Sequence, residues 1–218
     1  MITIYTAIYG DCDKLHQPAF QHRSIRYLCF TDNPSNTAIG VETIIDRPHE
    51  CPARANRWHK THPPSGTTIY VDGSYQLVGD PREFIDEMAG HQVALVKHNR
   101  HTCAYQEAIQ IAARRKDEPQ VILRQMMRYD RWGMPPGFGL WEGGVIYRHK
   151  ETNRDWQDLW WKEIEGGSYR DQISLAYSLW QTKQPIHELA SRPACFKLHD
   201  HVNAERPRTK RKKRDAPI

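Results

Sequence analysis

The segment over residues 68–75, TIYVDGSY, constrains the fold more than any other part of the sequence. Three residues that favour β-structure, Ile69, Tyr70 and Val71, run into Asp72 and stop at Gly73, which permits a sharp turn. A buried strand that ends in this way places its carboxylate at the carboxyl edge of a sheet. Ligands of open α/β proteins bind at that edge. The segment therefore predicts an α/β sheet with a carboxylate at its ligand-binding edge.

The chemistry of this strand end is that of a cation site. The carboxylate of Asp72, with the hydroxyl of Ser74 beside it, can hold a hard divalent cation through oxygen and leave positions for phosphate oxygens. The alternative explanation of this motif alone is an aspartate that only begins a turn.

Two further β-rich runs end in polar residues. They cover residues 2–8 and 26–30, and a third run covers residues 39–45. Because parallel strands deliver their ends to one edge, we expect a nucleotide pocket there, although ordinary turn chemistry would also explain the pattern. The candidate nucleotide contacts on the first two strands are Thr6, Ala7, Ile8, Tyr9, Asp11, Thr31 and Asp32.

Helical patterns alternate with these strands, as is typical of an α/β domain. No internal repeat is present, and we expect one domain over residues 1–203 with a tail over residues 204–218. Further strands are predicted over residues 93–96 and 145–147. Helices are predicted over residues 52–62, 81–88, 103–115, 118–132, 153–164 and 168–180.

Basic residues lie beside the predicted ligand edge in two places. Arg54, Trp58 and either Arg57 or Lys60 fall at helical spacing before the Asp72 strand, so that one basic stripe can neutralise a diphosphate. His98 and Arg100 follow the strand over residues 93–96 and are candidates for anion contact. A solvated helix face and structural histidines are the alternative explanations.

Two regions near the end of the domain carry further candidate site residues. Glu142 and Gly143 end a glycine- and proline-rich loop, which suits a general base close to an acceptor. Asp171 and Gln172 lie in the first turn of the last helix, where capping alone would also explain a carboxylate.

His199 and His201 precede the tail and are both able to reach a metal from one extended segment. The candidate metal ligands are Asp72, Ser74, His199 and His201.

The net charge of +5 comes from the end of the chain. Residues 1–205 carry 24 basic and 25 acidic side chains, so the body is close to neutral. The basic run is self-repelling, and it indicates a polyanion partner such as DNA, a localisation signal or a solubility tail. Its candidate nucleic-acid contacts are Arg206, Arg208, Lys210, Arg211, Lys212, Lys213 and Arg214.

The sequence contains neither an apolar run long enough to cross a bilayer nor a recognisable signal peptide. Its five cysteines are scattered and include no C-x-x-C pair, which argues against a disulfide framework or a zinc knuckle. We therefore expect a protein without membrane attachment, in the cytoplasm of a bacterial or phage-infected cell.

Several blocks of the sequence resemble a family of glycosyltransferase-like proteins with plant cell-wall, bacterial and phage members. They are YTAIYGD, YLCFTDNP, ARANRWHKTHP, IYVDGSY, KHNRHTCAYQEA, GLWEGGVIYR and SYRDQISLAY, and they cover about residues 3–181 in the family's order. The resemblance implies a GT-A fold, distantly similar to glycogenin-type transferases. This is an α/β, Rossmann-like fold for nucleotide-sugar transfer, with a mixed central sheet flanked by helices.

The resemblance also implies site roles. The D-x-D motif that binds Mn²⁺ or Mg²⁺ in GT-A enzymes reads Asp72-Gly73-Ser74 here, so its second acid is missing. A C-terminal histidine often completes that site, which points to His199 or His201. The resemblance implies nucleotide-sugar contacts at Thr6 to Tyr9, Asp11, Thr31, Asp32, Arg54, Lys60 and Val71 to Ser74, and donor-sugar or acceptor contacts at Glu142, Asp171 and Gln172.

We therefore expect a glycosyltransferase that moves a hexosyl or pentosyl group from a nucleoside diphosphate sugar, a UDP-sugar in the first instance, to a hydroxyl acceptor. The candidate catalytic residues are Asp72, Glu142 and Asp171. The basic tail favours a hydroxymethylated base in phage DNA as acceptor. A bacterial surface polysaccharide is the alternative acceptor, and a non-catalytic binding module is the alternative of another class.

Overall fold

The computed structural model describes residues 1–201, and its centre is a seven-stranded mixed sheet. The strands are β1 (Ile2–Ile8), β2 (Ile25–Thr31), β3 (Glu42–Ile45), β4 (Thr67–Val71), β6 (Val93–Lys97), β7 (Trp141–Arg148) and β8 (His187–Leu189). Their order in the sheet is β3-β2-β1-β4-β7-β6-β8, and among these strands β7 alone runs antiparallel to its neighbours. The predicted α/β class with a mixed central sheet flanked by helices is confirmed.

Within residues 1–201, six helices and a small second sheet cover the central sheet. Two short strands, β5 (Tyr75–Leu77) and β9 (Phe196–Leu198), pair antiparallel to form the second sheet. The helices are α1 (Pro52–Thr61), α2 (Arg82–Glu87), α3 (Ala104–Ala113), α4 (Pro119–Arg131), α5 (Asp155–Glu165) and α6 (Asp171–Thr182).

Alternating side chains of the strands divide the core into two layers. In β4, Tyr70 packs in a layer with Trp156 and Trp160 of α5, whereas Ile69 packs in the other layer with Phe84 of α2. Because successive strand residues point to opposite faces, each buried strand supplies both layers and reads as an unbroken apolar run. The central strands are for this reason recognisable in the sequence.

The predicted boundaries differ from the structure in two places that matter for the site. Strand β7, which was predicted over residues 145–147, begins at Trp141. Glu142 and Gly143 therefore belong to this strand and not to a loop. The last helix, predicted from Ser168, begins at Asp171. Ser168 instead donates a hydrogen bond from its hydroxyl to Asp117 at 2.7 Å and accepts one from the Arg170 backbone at 3.1 Å.

The polarity of the strands brings several chain segments to one edge of the sheet. The carboxyl ends of β1, β4 and β6 lie there, and so does the amino end of the antiparallel strand β7. The Asp72 backbone N–H donates to the Gly144 carbonyl at 2.9 Å, which ties β4 to β7 at this edge.

None of the helices within residues 1–201 combines the length and hydropathy that a bilayer span requires. The predicted boundary between domain and tail, and all seven candidate nucleic-acid contacts of the tail, lie outside the described residues.

Candidate active site

A cavity of about 610 Å³ opens at this edge of the sheet, and we call it the central cavity. Its walls come from the ends of β1, β4 and β7, from α1, from the start of α6 and from the segment around Arg192. Thirteen residues that the sequence singled out line it: Ala7, Ile8, Tyr9, Arg57, Lys60, Asp72, Gly73, Ser74, Glu142, Gly143, Asp171, Gln172 and His201.

The centre of the cavity is an ion-pair cluster built on Lys60. Its ammonium lies 2.8 Å from Oδ2 of Asp171 and 3.0 Å from Oδ1 of Asp72, and only 2% of its side chain is exposed. The Arg57 guanidinium lies 3.9 Å from Asp171 on the same side. A buried ammonium between two carboxylates is stable because each charge compensates the desolvation of the others.

This cluster keeps Asp171 ionised. Burial alone would raise the pKa of Asp171, but the positive charges of Lys60 and Arg57 outweigh burial and hold its pKa well below the ordinary value. A carboxylate so stabilised is a weak base. Oδ2 of Asp171 contacts Lys60, and its Oδ1 faces Arg57.

Asp72 is held in place by contacts on one of its oxygens. Oδ1 accepts a hydrogen bond from the Tyr70 hydroxyl at 2.8 Å and also contacts Lys60. The Asp72 side chain keeps 33% of its surface exposed, so it is the part of the cluster that is open to a ligand.

Glycines allow the backbone to approach the cluster closely. A Cβ atom on Gly143 would lie 3.3 Å from Asp171 Oδ2 and 3.4 Å from Lys60 Nζ. A Cβ on Gly73 would lie only 2.7 Å from Cγ1 of Ile8, which is closer than atoms can pack. The floor of the cavity thus has no room for a side chain at Gly73 and little room for one at Gly143.

Opposite charges balance across the cavity. Its lining includes four basic residues and four acidic ones: Arg57, Lys60, Arg170 and Arg192, and Asp13, Asp72, Glu142 and Asp171. Glu142 is paired with Arg192 at 3.2 Å, and Asp13 with the His201 ring at 2.9 Å. The lining alone therefore offers no surplus of positive charge to a diphosphate.

The predicted metal ligands come together only in part. Asp72, Ser74 and His201 line the central cavity, whereas His199 stacks on His16 with ring centres 4.3 Å apart and hydrogen-bonds Gln76 at 3.0 Å. Within residues 1–201, no three His, Cys, Asp or Glu side chains form a ready-made metal group. A magnesium site built on substrate phosphates does not need one, because one or two carboxylates suffice.

Asp13 supplies the second carboxylate that such a site would use. Burial raises the pKa of Asp13, and the negative charge of Asp72 raises it further against the opposing effect of His201. Both carboxylates line the central cavity, and carboxylate oxygens are ligands that a hard divalent cation takes beside substrate phosphates. The chemistry of these donors therefore fits the predicted cation.

The other predicted contacts surround the central cavity without lining it. Thr6 and Val71 are buried in strands β1 and β4. Asp32 accepts a hydrogen bond from the Gly10 backbone at 3.1 Å, and Asp11 accepts one from Asn33 at 2.9 Å. These contacts shape the loop after β1.

Thr31 and Arg54 also make internal contacts outside the lining. Thr31 accepts hydrogen bonds from the Asn33 backbone at 3.1 Å and from the Asn36 side chain at 3.2 Å. Arg54 donates to the Gly167 carbonyl at 2.8 Å. His98 and Arg100 line a different cavity beside the central one.

Several lining residues were not predicted from the sequence. Asn56 lies one helical turn before Lys60, on the same face of α1. The helical spacing that made Lys60 a candidate would therefore have made Asn56 one as well. Asp13 follows Asp11 at the end of the same turn. Arg192 had no signal, because it lies in an irregular segment that reaches the cavity only through tertiary packing.

Comparisons with known proteins find one family model and solved structures that are similar to this chain. The model of the TOD1/MUCI70 glycosyltransferase-like domain matches residues 56–197. No curated protein shows significant sequence similarity to the chain. Among solved structures, the crystal structure of mouse xyloside xylosyltransferase 1 in its apo form matches with 11% sequence identity, a TM-score of 0.44, and coverage of 86% of this chain and 84% of that chain.

Proposed function

Since this chain belongs to the TOD1/MUCI70 glycosyltransferase-like family, we propose that its central cavity binds a nucleoside diphosphate sugar and transfers the sugar to a hydroxyl acceptor. The observation that carries the proposal is the Lys60 cluster, which fixes Asp72 at the carboxyl edge of the sheet with one side open to the cavity. Nucleotides bind at this edge in open α/β folds.

The donor's nucleoside is assigned to the β1 side of the cavity. Ala7, Ile8 and Tyr9 supply apolar surface there, and Asn56 lies on the facing helix. Asn56 already donates to the Ala7 carbonyl, so the amide holds this wall in place. A UDP-sugar is the donor that we propose to test first.

A divalent cation is assigned to the diphosphate. The lining is charge-balanced, so a dianionic diphosphate leaves a deficit of positive charge that Mn²⁺ or Mg²⁺ would supply. Asp72 and Asp13 would hold it, with His201 and Ser74 on the same cavity wall. Arg57 and Lys60 provide fixed positive charge beside the leaving group, which is the main electrostatic demand of the transfer.

The acceptor side is assigned to Glu142. Arg192 holds its carboxylate at 3.2 Å, and 17% of its side chain is exposed. We assign Glu142 the role of receiving the acceptor's proton, while Asp171 keeps Lys60 and Arg57 in place.

A thermal-shift panel of nucleoside diphosphates and their sugars, with and without Mn²⁺, tests the proposal. Specific binding raises the melting temperature in a concentration-dependent way. We expect one nucleotide to stabilise the protein, Mn²⁺ to strengthen the effect, and Asp72→Asn to abolish it. Asp80→Asn is the matched control, because Asp80 pairs with Arg82 at the surface. No stabilisation by any donor would overturn the proposal.

Turnover is tested separately by hydrolysis of the nucleotide sugar that binds. We expect slow release of the nucleotide by the unaltered protein and none by Asp72→Asn. Binding without release in the presence of acceptors would favour the non-catalytic binding module.

DNA with a hydroxymethylated base is the acceptor that the basic run at residues 206–214 favours. Phosphate contacts make DNA binding fall steeply with salt, and a base inside a duplex must be flipped out to react. We expect salt-sensitive binding that is lost on deletion of residues 206–218. Unchanged binding by the shortened chain would favour the polysaccharide acceptor instead.

A further inference from the structure

A second cavity of about 400 Å³ adjoins the central one, and we call it the basic cavity. It lies at the carboxyl end of β6, and its walls come from the loop after that strand, from α3 and its carboxyl end, and from the start of α6. The polar side chains that define it are Arg100, His101, Arg114, Lys116, Arg170 and Gln172.

The charge of this cavity is strongly one-sided. Four of its lining residues, Arg100, Arg114, Lys116 and Arg170, are cationic, whereas Glu107 is the one acidic residue in the lining. Glu107 lies 3.8 Å from the His101 ring, so its charge is directed to that histidine.

These four cations have no described counterion. Within residues 1–201, no carboxylate lies within 4 Å of any of them. They also influence one another: burial and the charges of Arg170, Arg114 and Arg100 lower the pKa of Lys116 against the opposing charge of Glu107. A cluster of like charges is unfavourable unless an anion joins it, and such a concave site concentrates anions.

The two cavities share a wall. Arg170 and Gln172 line both of them, while Asp171 between these residues turns its carboxylate to Lys60 in the central cavity. A ligand group in the basic cavity is therefore next to the site that we assign to sugar transfer. Two adjoining cavities can hold two parts of one acceptor molecule.

We propose that the basic cavity binds an anionic group, a carboxylate or a phosphate, of the acceptor whose hydroxyl receives the sugar. That the bound molecule is an acceptor rests on the proposed transferase function. That an anion binds rests only on the charge and shape of the basic cavity. Two arginines can each present paired N–H donors to one planar or tetrahedral oxyanion, and Lys116 adds a third charge.

Binding of three small sugars to the full-length protein tests this site. Glucuronic acid carries a carboxylate, glucose 6-phosphate carries a phosphate, and glucose carries neither. Isothermal titration in the presence of saturating UDP keeps the central cavity filled. We expect one or both acidic sugars to bind and glucose not to bind. The acidic sugar that binds more tightly shows whether the site prefers a carboxylate or a phosphate. Equal binding of glucose would overturn the proposal.

Paired substitutions locate the binding. Arg100→Gln with Arg114→Gln removes two exposed cations of the cavity, and we expect at least about tenfold weaker binding of the acidic sugar. The matched control is Arg115→Gln with Arg124→Gln, which removes the same charge from two exposed residues outside the lining. Equal loss in both double variants would show non-specific electrostatics and overturn the proposal.

Anion binding in the basic cavity and donor binding in the central cavity can be measured separately. UDP binding by the Arg100→Gln, Arg114→Gln variant should match that of the unaltered protein, because neither residue lines the central cavity. If acidic sugars bind but no nucleotide-sugar donor does, the anion site is supported and the proposed transferase function is refuted. Donor binding without acidic-sugar binding would refute the anion site alone.

Discussion

Lys60 donates a hydrogen bond to Asp171 at 2.8 Å and thereby joins helix α1 to helix α6 across 111 residues of sequence. The same ammonium contacts Asp72 at 3.0 Å, at the end of strand β4. One side chain therefore connects three elements at the sheet edge. The position of Asp72, which we assign to donor binding, depends on a residue of a helix that precedes its strand.

Substitution of Lys60 by methionine should be strongly destabilising. It leaves Asp171, whose side chain is 7% exposed, without its nearest compensating charge. Removal of one partner of a buried ion pair costs about 3–5 kcal/mol of the free energy of unfolding. Urea denaturation measures this cost.

Two further variants identify the cause of that loss. Lys162→Met, on the exposed face of α5, should change stability by less than about 0.5 kcal/mol. The double variant Lys60→Met, Asp171→Asn should lose less than the sum of the single losses, because the stranded carboxylate is then neutral. Additive losses would show that the ion pair is not the reason.

Substitution of Gly73 by alanine should weaken donor binding. The new methyl group would lie 2.7 Å from Cγ1 of Ile8 and 3.2 Å from Cβ of Asp13, so the cavity wall must shift. Overpacking of this kind costs about 1–3 kcal/mol. At Gly79, by contrast, the nearest atom would be Cα of Cys195 at 3.8 Å, an ordinary contact.

The comparison of these two glycine variants is made by thermal unfolding and by nucleotide titration. We expect Gly73→Ala to lower both the melting temperature and the nucleotide affinity, and Gly79→Ala to leave the affinity unchanged. If the two variants bind nucleotide equally well, the close approach at Gly73 does not shape the donor site.

The sequence was most informative where periodicity extends over several turns or over a full buried strand. Helix α4 was predicted over residues 118–132 and runs from Pro119 to Arg131, because its apolar residues recur at helical spacing. Strands β5, β8 and β9 were missed, since each has three residues and exists through its pairing partner. Strand β7 was predicted too short, because Gly143 and Gly144 lie within it.

The site was predictable as a set of residues but not as a set of contacts. Strand ends identified Asp72 and Tyr9, since turn residues follow β-rich runs at fixed positions. The contact of Lys60 with Asp171, and that of the His199 ring with Gln76, follow from long-range packing. No local pattern encodes such pairings.

His59 should make the stability of the fold depend on pH. Its ring is stacked on Phe30 with centres 4.0 Å apart, and burial lowers its pKa to about 4 against the opposing effect of Asp46. The unfolded chain has an ordinary histidine pKa of about 6.5. Between these values the unfolded state binds a proton that the folded state does not, so stability falls as the pH falls.

The expected contribution of His59 is up to about 1.4 kcal/mol for each pH unit in that window. Burial also lowers the pKa of His16 and His62, so the comparison must isolate His59. Urea unfolding of the unaltered protein and of His59→Gln, at about pH 7 and about pH 5, provides it. The variant should show the shallower pH dependence; equal slopes would contradict the assignment.

Glu163 of α5 should stabilise the helical layer without taking part in the lining of the central cavity. It is 5% exposed, accepts a hydrogen bond from the Tyr129 hydroxyl at 2.8 Å, and pairs with Arg128, so it links α5 to α4. Glu163→Gln keeps the size of the side chain but removes its charge, and we expect a loss of about 1–3 kcal/mol in the free energy of unfolding. Glu165→Gln, two residues along the helix and exposed, should cost less than about 0.5 kcal/mol. Equal effects would mean that the buried hydrogen-bond network adds nothing to stability, and nucleotide binding should be unchanged in both variants because neither residue lines the central cavity.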